Sequence, residues 1–457
     1  MLLLRSISTV NFYTGSPPLD FIEQRTNDIL DKNPWLTGFL QQTNGGINLI
    51  YDENFRNKSM GKKFFLAGRD DSLDEEMDYS DMTDRLGRYL VKSGRACIKQ
   101  RKNPLFLVSV VIVSTKKFAL IVSVSHVIAD GHTYYELYSM LSHKRSPYSM
   151  VVNRMMDFEK RVDSFVNGND TDRYLHSPGI ILKALGSLLF APPKHFQFYS
   201  LNLKWIQDEK KKFTKETSDT QNFTSENKNR VIEIESAEAV TLSTPRNCHP
   251  ATRESMDVTF ISTNDILTSW FFKLCKTDVG QMAFNFRNRI PDLPNSFAGN
   301  YEAMVAYQPS DFASPQHIRR SIPVARRQIS GAFPDFFRTV FSYLNVTLIS
   351  NWSSFYCDVV LEGARQVIHL PILRSKLPMK DVGIIFRPNK NSLALFVMGR
   401  SCSEQTLLAQ PVISGKLLQL QPPTPMPAGR ESVGSNAAKS TKFFEVKQPS
   451  TKVFPMG

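Results

Sequence analysis

The chain is predicted to be an α/β protein of two domains, and three features of the sequence predict it. Residues 118–141, FALIVSVSHVIADGHTYYELYSML, join a run of strand periodicity to a run of helix periodicity through a short turn. Strand and helix patterns alternate in both halves of the chain, as in sheets covered by helices. Between the halves, over 207–230, only Phe213 and Phe223 are large and apolar, so the chain is expected to cross there as an exposed linker.

Taken in order, Ile22, Thr26 and Ile29 recur at helical spacing behind Pro17-Pro18 and ahead of Pro34, so the first ordered element is expected to be a helix over 19–30. Residues 47–51 read as a strand. Residues 70–84 hold eight acidic side chains whose spacing matches no calcium loop, which predicts a solvated loop and a helix start. Met82, Leu86, Tyr89 and Leu90 follow as the face that this helix buries. LFLVSVVIV at 105–113 and the run from Phe118 flank Ser-Thr-Lys-Lys, which predicts a β-hairpin. In its second arm Phe118, Leu120, Val122, Val124 and His126 share one face, and Ser123 and Ser125 the other. Beyond the turn Tyr134, Leu137 and Leu141 recur helically, with Tyr138 one turn after Tyr134, so a helix should pack back on the sheet.

Residues 196–203 are strand-like. In the second half Thr263 or Asn264 can cap a helix carrying Ile266, Leu267, Trp270 and Phe271. Strands are expected at 231–234, 281–286, 346–352, 357–361 and 367–370, and in a hairpin of 382–386 with 393–398. From Pro422 onward six prolines and few core residues predict a disordered basic tail. The expected organisation is an N-terminal domain over 1–206, a linker over 207–230, a C-terminal domain over 231–421 and a tail over 422–457.

With 457 residues, 41% of them hydrophobic and 22% charged, the chain can bury two cores. The formal charge of +13 is spread along the chain, with clusters at 92–102, Arg319-Arg320 and Arg326-Arg327, and fits an anionic ligand, a membrane surface or nucleic acid without selecting among them. There is no Walker loop, GxGxxG, GxSxG elbow or RNA-binding aromatic signature, so no nucleic-acid partner is expected. Five scattered cysteines without a CxxC pair indicate a reducing, cytoplasmic compartment. The opening MLLLRSISTVNFYTG has too short an apolar run for the core of a signal peptide. No stretch reaches the roughly 18 apolar residues of a membrane span. The nearest, IILKALGSLLF from Ile180 to Phe190, is interrupted by Lys183 and closed by Pro192-Pro193. It reads as a buried helix or as a segment that makes peripheral contact with a membrane.

The residues that bear chemistry gather at the strand-to-helix turn. His126 ends an apolar row where the strand gives out, and a histidine held there can take a proton near neutral pH. Asp130 and Gly131 follow in the same turn, where an acid with a basic partner fixes the turn's shape and glycine suits the bend. His132 and Glu136 lie four apart and could join His126 around a metal, but no third ligand stands at zinc spacing. A packed or solvated helix face is the better reading, and no metal is expected.

SHVIADG resembles the HxxxDG signature of the chloramphenicol acetyltransferase-like superfamily of CoA-dependent acyltransferases, and in particular its plant-type BAHD branch. Further similarities occur in order: Phe196-Gln-Phe-Tyr with Lys204-Trp-Ile, Ser262-Thr-Asn-Asp265-Ile-Leu-Thr, Asn285-Phe-Arg287-Asn-Arg289, Ala298-Gly299-Asn300-Tyr301, and Ser350-Asn-Trp352. The resemblance covers most of residues 19–420. Where the family has DFGWG, this chain has Cys357-Asp358-Val-Val-Leu-Glu-Gly363. Ser125 stands where wax ester synthases and peptide-synthetase condensation domains carry a second histidine.

The resemblance implies two chloramphenicol acetyltransferase-like domains, each a mixed β-sheet flanked by helices, with a tunnel between them. It implies transfer of an acyl group from acyl-CoA, as co-substrate and with no bound cofactor, to an alcohol or amine acceptor that is a small molecule or a lipid, by a monomer. His126 would be the general base. Asp130 would pair with Arg287, or otherwise Arg289, and Ser350 and Trp352 would form the oxyanion or acceptor wall. The alternatives are a carrier-protein-dependent condensing or wax ester synthase-like enzyme, and a non-catalytic acyl-CoA-binding relative.

Overall fold

The structure is a computed structural model that describes residues 6–44, 46–52, 64–166, 170–190, 194–222, 260–342, 344–373, 377–418 and 452–456. Its strands are β1 (Ser6–Gly15), β2 (Phe39–Thr43), β3 (Gly46–Tyr51), β4 (Phe65–Arg69), β5 (Phe106–Ser114), β6 (Lys117–Ser125), β7 (His195–Leu201), β8 (Val279–Asn285), β9 (Glu302–Tyr307), β10 (Val346–Asn351), β11 (Ala364–Ile372), β12 (Asp381–Phe386), β13 (Ala394–Gly399), β14 (Ile413–Lys416) and β15 (Lys452–Met456). They form a five-stranded sheet in the order β11-β1-β6-β5-β4, a seven-stranded sheet β14-β7-β13-β12-β10-β8-β9, and a three-stranded sheet β15-β3-β2. Both larger sheets are mixed: β4 runs parallel to β5, and β10 runs parallel to β8 and β12.

The hairpin read from the sequence is β5–β6, paired from Phe106 opposite Val124 to Ser114 opposite Lys117. Leu120, Val122 and Val124 of β6 lie in one core with the helices Leu19–Lys32 and Gly131–Ser139. Ala119 and Ile121, on the other face, join Val10 and Phe12 of β1 and Ile368 and Leu370 of β11. That face packs against Phe198, Val382, Ile384 and Phe396 of the seven-stranded sheet, so the two sheets share an apolar layer. Burial on both faces is what makes β6 a near-continuous apolar run.

Several expectations are corrected. The first ordered element is β1, not the helix at Leu19; it is an interior strand of its sheet, between β11 and β6. Its buried Ser8, Thr9 and Asn11 break the apolar pattern by which a strand is recognised, because they bond to other buried groups instead. The boundaries at 206 and 231 do not follow the sheets: β7 precedes the expected linker yet joins the seven-stranded sheet, and β11 crosses back to β1. The expected exposed linker is helical as far as Asn222, in a helix Leu203–Asn222 that buries Ile206 and packs Phe213 on the second core. Residues 357–361 form no strand. Tyr13 donates to the Val359 carbonyl and Val360 pairs with Ser142 and His143, so the run is held by loop contacts. Residues 452–456 of the tail pair with β3, whose second edge is otherwise open; Val453 and Phe454 favour extended backbone. The strand expected at 231–234, the linker at 223–230 and the tail at 422–451 lie outside the described residues.

A buried polar network ties the helix Gly131–Ser139 to the sheet. The Tyr134 hydroxyl lies 2.7 Å from Thr9 Oγ1, and Tyr138 donates to Asn11 Oδ1 at 2.8 Å. Asn11 stands opposite His369 across the β1–β11 pair, and His369 Nδ1 lies 2.6 Å from the same Oδ1. The Tyr135 hydroxyl lies 2.9 Å from His369 Nε2. These partners assign a neutral ring, with Nδ1–H donating to Asn11 and Nε2 accepting from Tyr135.

Burial pushes the His369 pKa from 6.5 down to about 3. Between those values the unfolded chain binds the proton and the fold does not. The stability is therefore full above about pH 6.5 and is lost as the pH falls, at up to about 1.4 kcal/mol per pH unit. Denaturant melts at pH 7.5 and 5.0 are expected to show a larger loss for the native protein than for His369→Gln. Equal losses would assign the dependence to other groups.

Candidate active site

Strand β6 ends at Ser125 and the chain turns through His126, Val127 and Ile128, with the Ile128 amide on the Ser125 carbonyl at 3.0 Å. Asp130 then caps the helix Gly131–Ser139 by accepting from the Thr133 amide at 2.9 Å. Its other oxygen accepts from Arg287 Nη1 at 2.6 Å and from the Tyr301 amide at 2.9 Å. Of the two arginines the sequence offered, Arg287 is the partner. Both side chains are buried, Arg287 to 0% and Asp130 to 1% exposure. Burial raises the Asp130 pKa, but Arg287 and the two amides outweigh it and hold the carboxyl below its ordinary value.

Arg287 spends its remaining donors on the Phe297 and Gly299 carbonyls, on Thr133 Oγ1 and on Asn285 Oδ1, at 2.9, 3.1, 3.1 and 3.2 Å. Gly299 has φ of +145°, and a Cβ there would collide with the Arg154 guanidinium, so glycine is required. The neighbouring Asn300 clamps the histidine turn: its Nδ2 donates to the His126 and Val127 carbonyls at 2.9 and 3.0 Å. Segments 126–133, 285–289 and 297–301 thus form one hydrogen-bonded block.

His126 is the member of this block whose side chain remains available. Its Nε2 lies 3.5 Å from Glu302 Oε1, with side-chain exposures of 19% and 23%. Its Nδ1 is buried without a hydrogen-bond partner among the described residues. The Glu302 carboxyl opens into a cavity but is otherwise enclosed by protein. Burial pushes its pKa up and the adjacent Asp130 adds to this, against the lowering by His126 and Arg287.

The cavity has a volume of about 410 Å³ and lies between the turn and the second sheet, lined by Gly131, His132, Asn264, Glu302, Ser350 and Trp352 among others. The resemblance implied a tunnel between the two domains; the structure shows this cavity, lined by the start of the helix after β6 and by strands of the seven-stranded sheet. Ser350 is the penultimate residue of β10, and the Trp352 Nε1–H donates to its Oγ at 3.1 Å. A Cβ on Gly131 would come within 4.0 Å of Trp352 Nε1, so this wall abuts the histidine turn.

The remaining candidates separate. His132 Nε2 lies 2.9 Å from the Asn295 carbonyl, and burial lowers its pKa. Glu136 pairs with Arg145 and Tyr148. Among the described residues no three His, Cys, Asp or Glu side chains stand together around a metal-sized site. Arg319 lines the cavity but is bound to Asp265, and Arg327 to Asp170. Arg289 lines the cavity with its guanidinium over the Phe284 ring at 4.4 Å. Sequence reasoning missed Glu302. It follows Asn300-Tyr301 directly, but an acid at the start of a strand reads as solvated surface.

Removing one partner of a buried ion pair strands the other charge. Asp130→Asn is therefore expected to cost about 3–5 kcal/mol in urea unfolding. A loss under about 1 kcal/mol would show that the pair is not what holds the turn.

No protein-family model and no curated protein matches the chain. Among solved structures it is similar to TRI101 of F. graminearum complexed with coenzyme A and T-2 mycotoxin, at TM-score 0.53 and 11% identity over 89% of this chain and 93% of that one. TRI101 of F. graminearum complexed with ethyl coenzyme A gives 0.52 and 12% over 89% and 93%. Polyketide synthase associated protein 5 from Mycobacterium tuberculosis gives 0.48 and 11% over 88% and 90%. The TRI101 likenesses, with the two mixed sheets and their helices, establish the fold: two chloramphenicol acetyltransferase-like α/β bodies.

Proposed function

We propose that the protein is a CoA-dependent acyltransferase of the BAHD type, moving an acyl group from an acyl-CoA thioester to the hydroxyl, or the amine, of a small-molecule or lipid acceptor. The observation that carries this reading is the division within the block around Asp130. Asp130, Arg287 and Asn300 are spent on holding the turn, while His126 Nε2 lies 3.5 Å from Glu302, which itself lines the cavity. TRI101, which shares the fold, is described in complex with coenzyme A and with T-2 mycotoxin.

In the proposed reaction His126 Nε2 takes the proton of the acceptor hydroxyl as its oxygen attacks the thioester carbonyl. The imidazolium that forms faces the Glu302 carboxylate. Ser350, whose oxygen already accepts from Trp352, can turn its own O–H toward the oxyanion. Collapse breaks the carbon–sulfur bond, and His126 returns the proton to the departing thiolate, leaving ester and free CoA. No acyl-enzyme is required.

A positioned base supplies about 10²- to 10⁴-fold. His126→Ala is therefore expected to lower kcat by that factor with an unchanged melting temperature, in assays that follow free thiol across acetyl- to long-chain acyl-CoAs with alcohol and amine acceptors. No thiol release from any donor, or an undiminished rate in the variant, would overturn the reading; acyl-CoA binding without turnover would point to the non-catalytic alternative.

Glu302→Gln is expected to lower kcat by about 10- to 150-fold with little change in KM, the kinetic equivalent of the ~1.5–3 kcal/mol of a hydrogen bond to a charged group. A change confined to KM would place Glu302 in acceptor binding instead.

A further inference from the structure

The segment from Ile180 to Phe190 forms a helix, Pro178–Phe190, but not a buried one. Ile181, Leu182, Leu185 and Leu189 are 49%, 51%, 50% and 73% exposed, and their spacing places them on one face. Beside it lies the short helix Phe336–Phe341, whose Phe337 and Phe341 are 71% and 76% exposed. The two helices meet at Gly179, where a Cβ would come 3.3 Å from Thr339 and 3.4 Å from Phe336. Lys183 Nζ donates to the Ser342 carbonyl at 3.0 Å, closing the other end. Phe337 stacks on Phe341 at 6.2 Å between ring centroids, so the aromatic rings stand together rather than singly.

We propose that these paired helices form a docking surface for an anionic lipid bilayer. Six large apolar side chains exposed by about half or more on two helices that pack on each other are more than the singly scattered apolar residues of an ordinary protein surface. Neither helix contains an acidic residue, whereas Lys183 lies among the leucines and the exposed Arg338 between the phenylalanines. Asp335, at the boundary, is occupied in capping the second helix through the Arg338 amide, and Asp278 acts on Lys183 from the protein side. A second copy docked on the same face would oppose like charges, while anionic headgroups complement them. The helices have 13 and 6 residues, and among the described residues no helix is long and apolar enough to cross a membrane, so the contact is interfacial. This inference does not rest on acyl transfer: vesicle binding without transferase activity would leave it standing.

The test is flotation of the full chain with phosphatidylcholine vesicles containing about 20% phosphatidylserine, and with pure phosphatidylcholine vesicles. The expected result is binding to the mixed vesicles, weaker binding to the pure ones, and a loss of about tenfold or more in the combined Leu189→Ser, Phe337→Ser and Phe341→Ser variant. All three side chains are exposed, so the variant's melting curve should match the native one, and Leu408→Ser, remote in the helix Glu404–Leu408, should bind as the native chain does. No flotation of the native chain, or flotation unchanged in the triple variant, would overturn the proposal. Equal binding to both vesicles would overturn the assignment to anionic lipid. Self-association in sedimentation that the triple variant abolishes, without vesicle binding, would give the face to a second copy.

Discussion

The ion pair between Asp130 and Arg287 is the constraint on which the site depends. Two charges withdrawn from water cost several kcal/mol each, and only complete hydrogen bonding offsets that cost. Here Asp130 takes the Thr133 and Tyr301 amides along with Arg287, and Arg287 takes two carbonyls and the Thr133 hydroxyl besides. The pair joins the turn after β6 to the end of β8, two segments that belong to different sheets. A displacement of either sheet relative to the other would leave charges unpaired in a dry interior. The position of His126 is therefore fixed by both bodies at once.

A second set of bonds holds the same helix from its other side. Tyr134, Tyr135 and Tyr138 reach Thr9, His369 and Asn11, groups from the first and eleventh strands. Those strands come from opposite ends of the chain, and their pairing brings a neutral histidine opposite an asparagine. The helix is thus pinned at its N-terminus by Asp130 and along its length by three hydroxyls. Such pre-arrangement suits the proposed proton transfer, in which the base must not reorganise as charge develops.

The run at 357–361 forms no strand, yet Val359 and Val360 hold it against Tyr13, Ser142 and His143, and Tyr356 bonds Asp358. The segment thus remains anchored beside the helix that follows His126.

The sequence by itself determined what depends on neighbours along the chain. It determined the hairpin of the fifth and sixth strands, the turn with its histidine, the helix of tyrosines behind it, and the helix Thr263–Leu274, because periodicity acts over a few residues; the cap of that last helix is Ser262, bonded reciprocally to Asp265, and not Thr263 or Asn264 as expected. The family resemblance, and not spacing alone, implied Arg287 or otherwise Arg289 as the partner of Asp130, and in the structure the partner is Arg287. Tertiary structure decided the rest. The first strand escaped notice because its polar side chains find their partners on elements 109 to 358 residues away, and the exchange of the seventh and eleventh strands between sheets has no local signature. Glu302 became part of the site only when the ninth strand was placed beside the histidine turn. The face at 178–190 was legible as an apolar run, but burial depends on what packs against it, and only the folded chain shows Ile181, Leu182, Leu185 and Leu189 about half exposed or more.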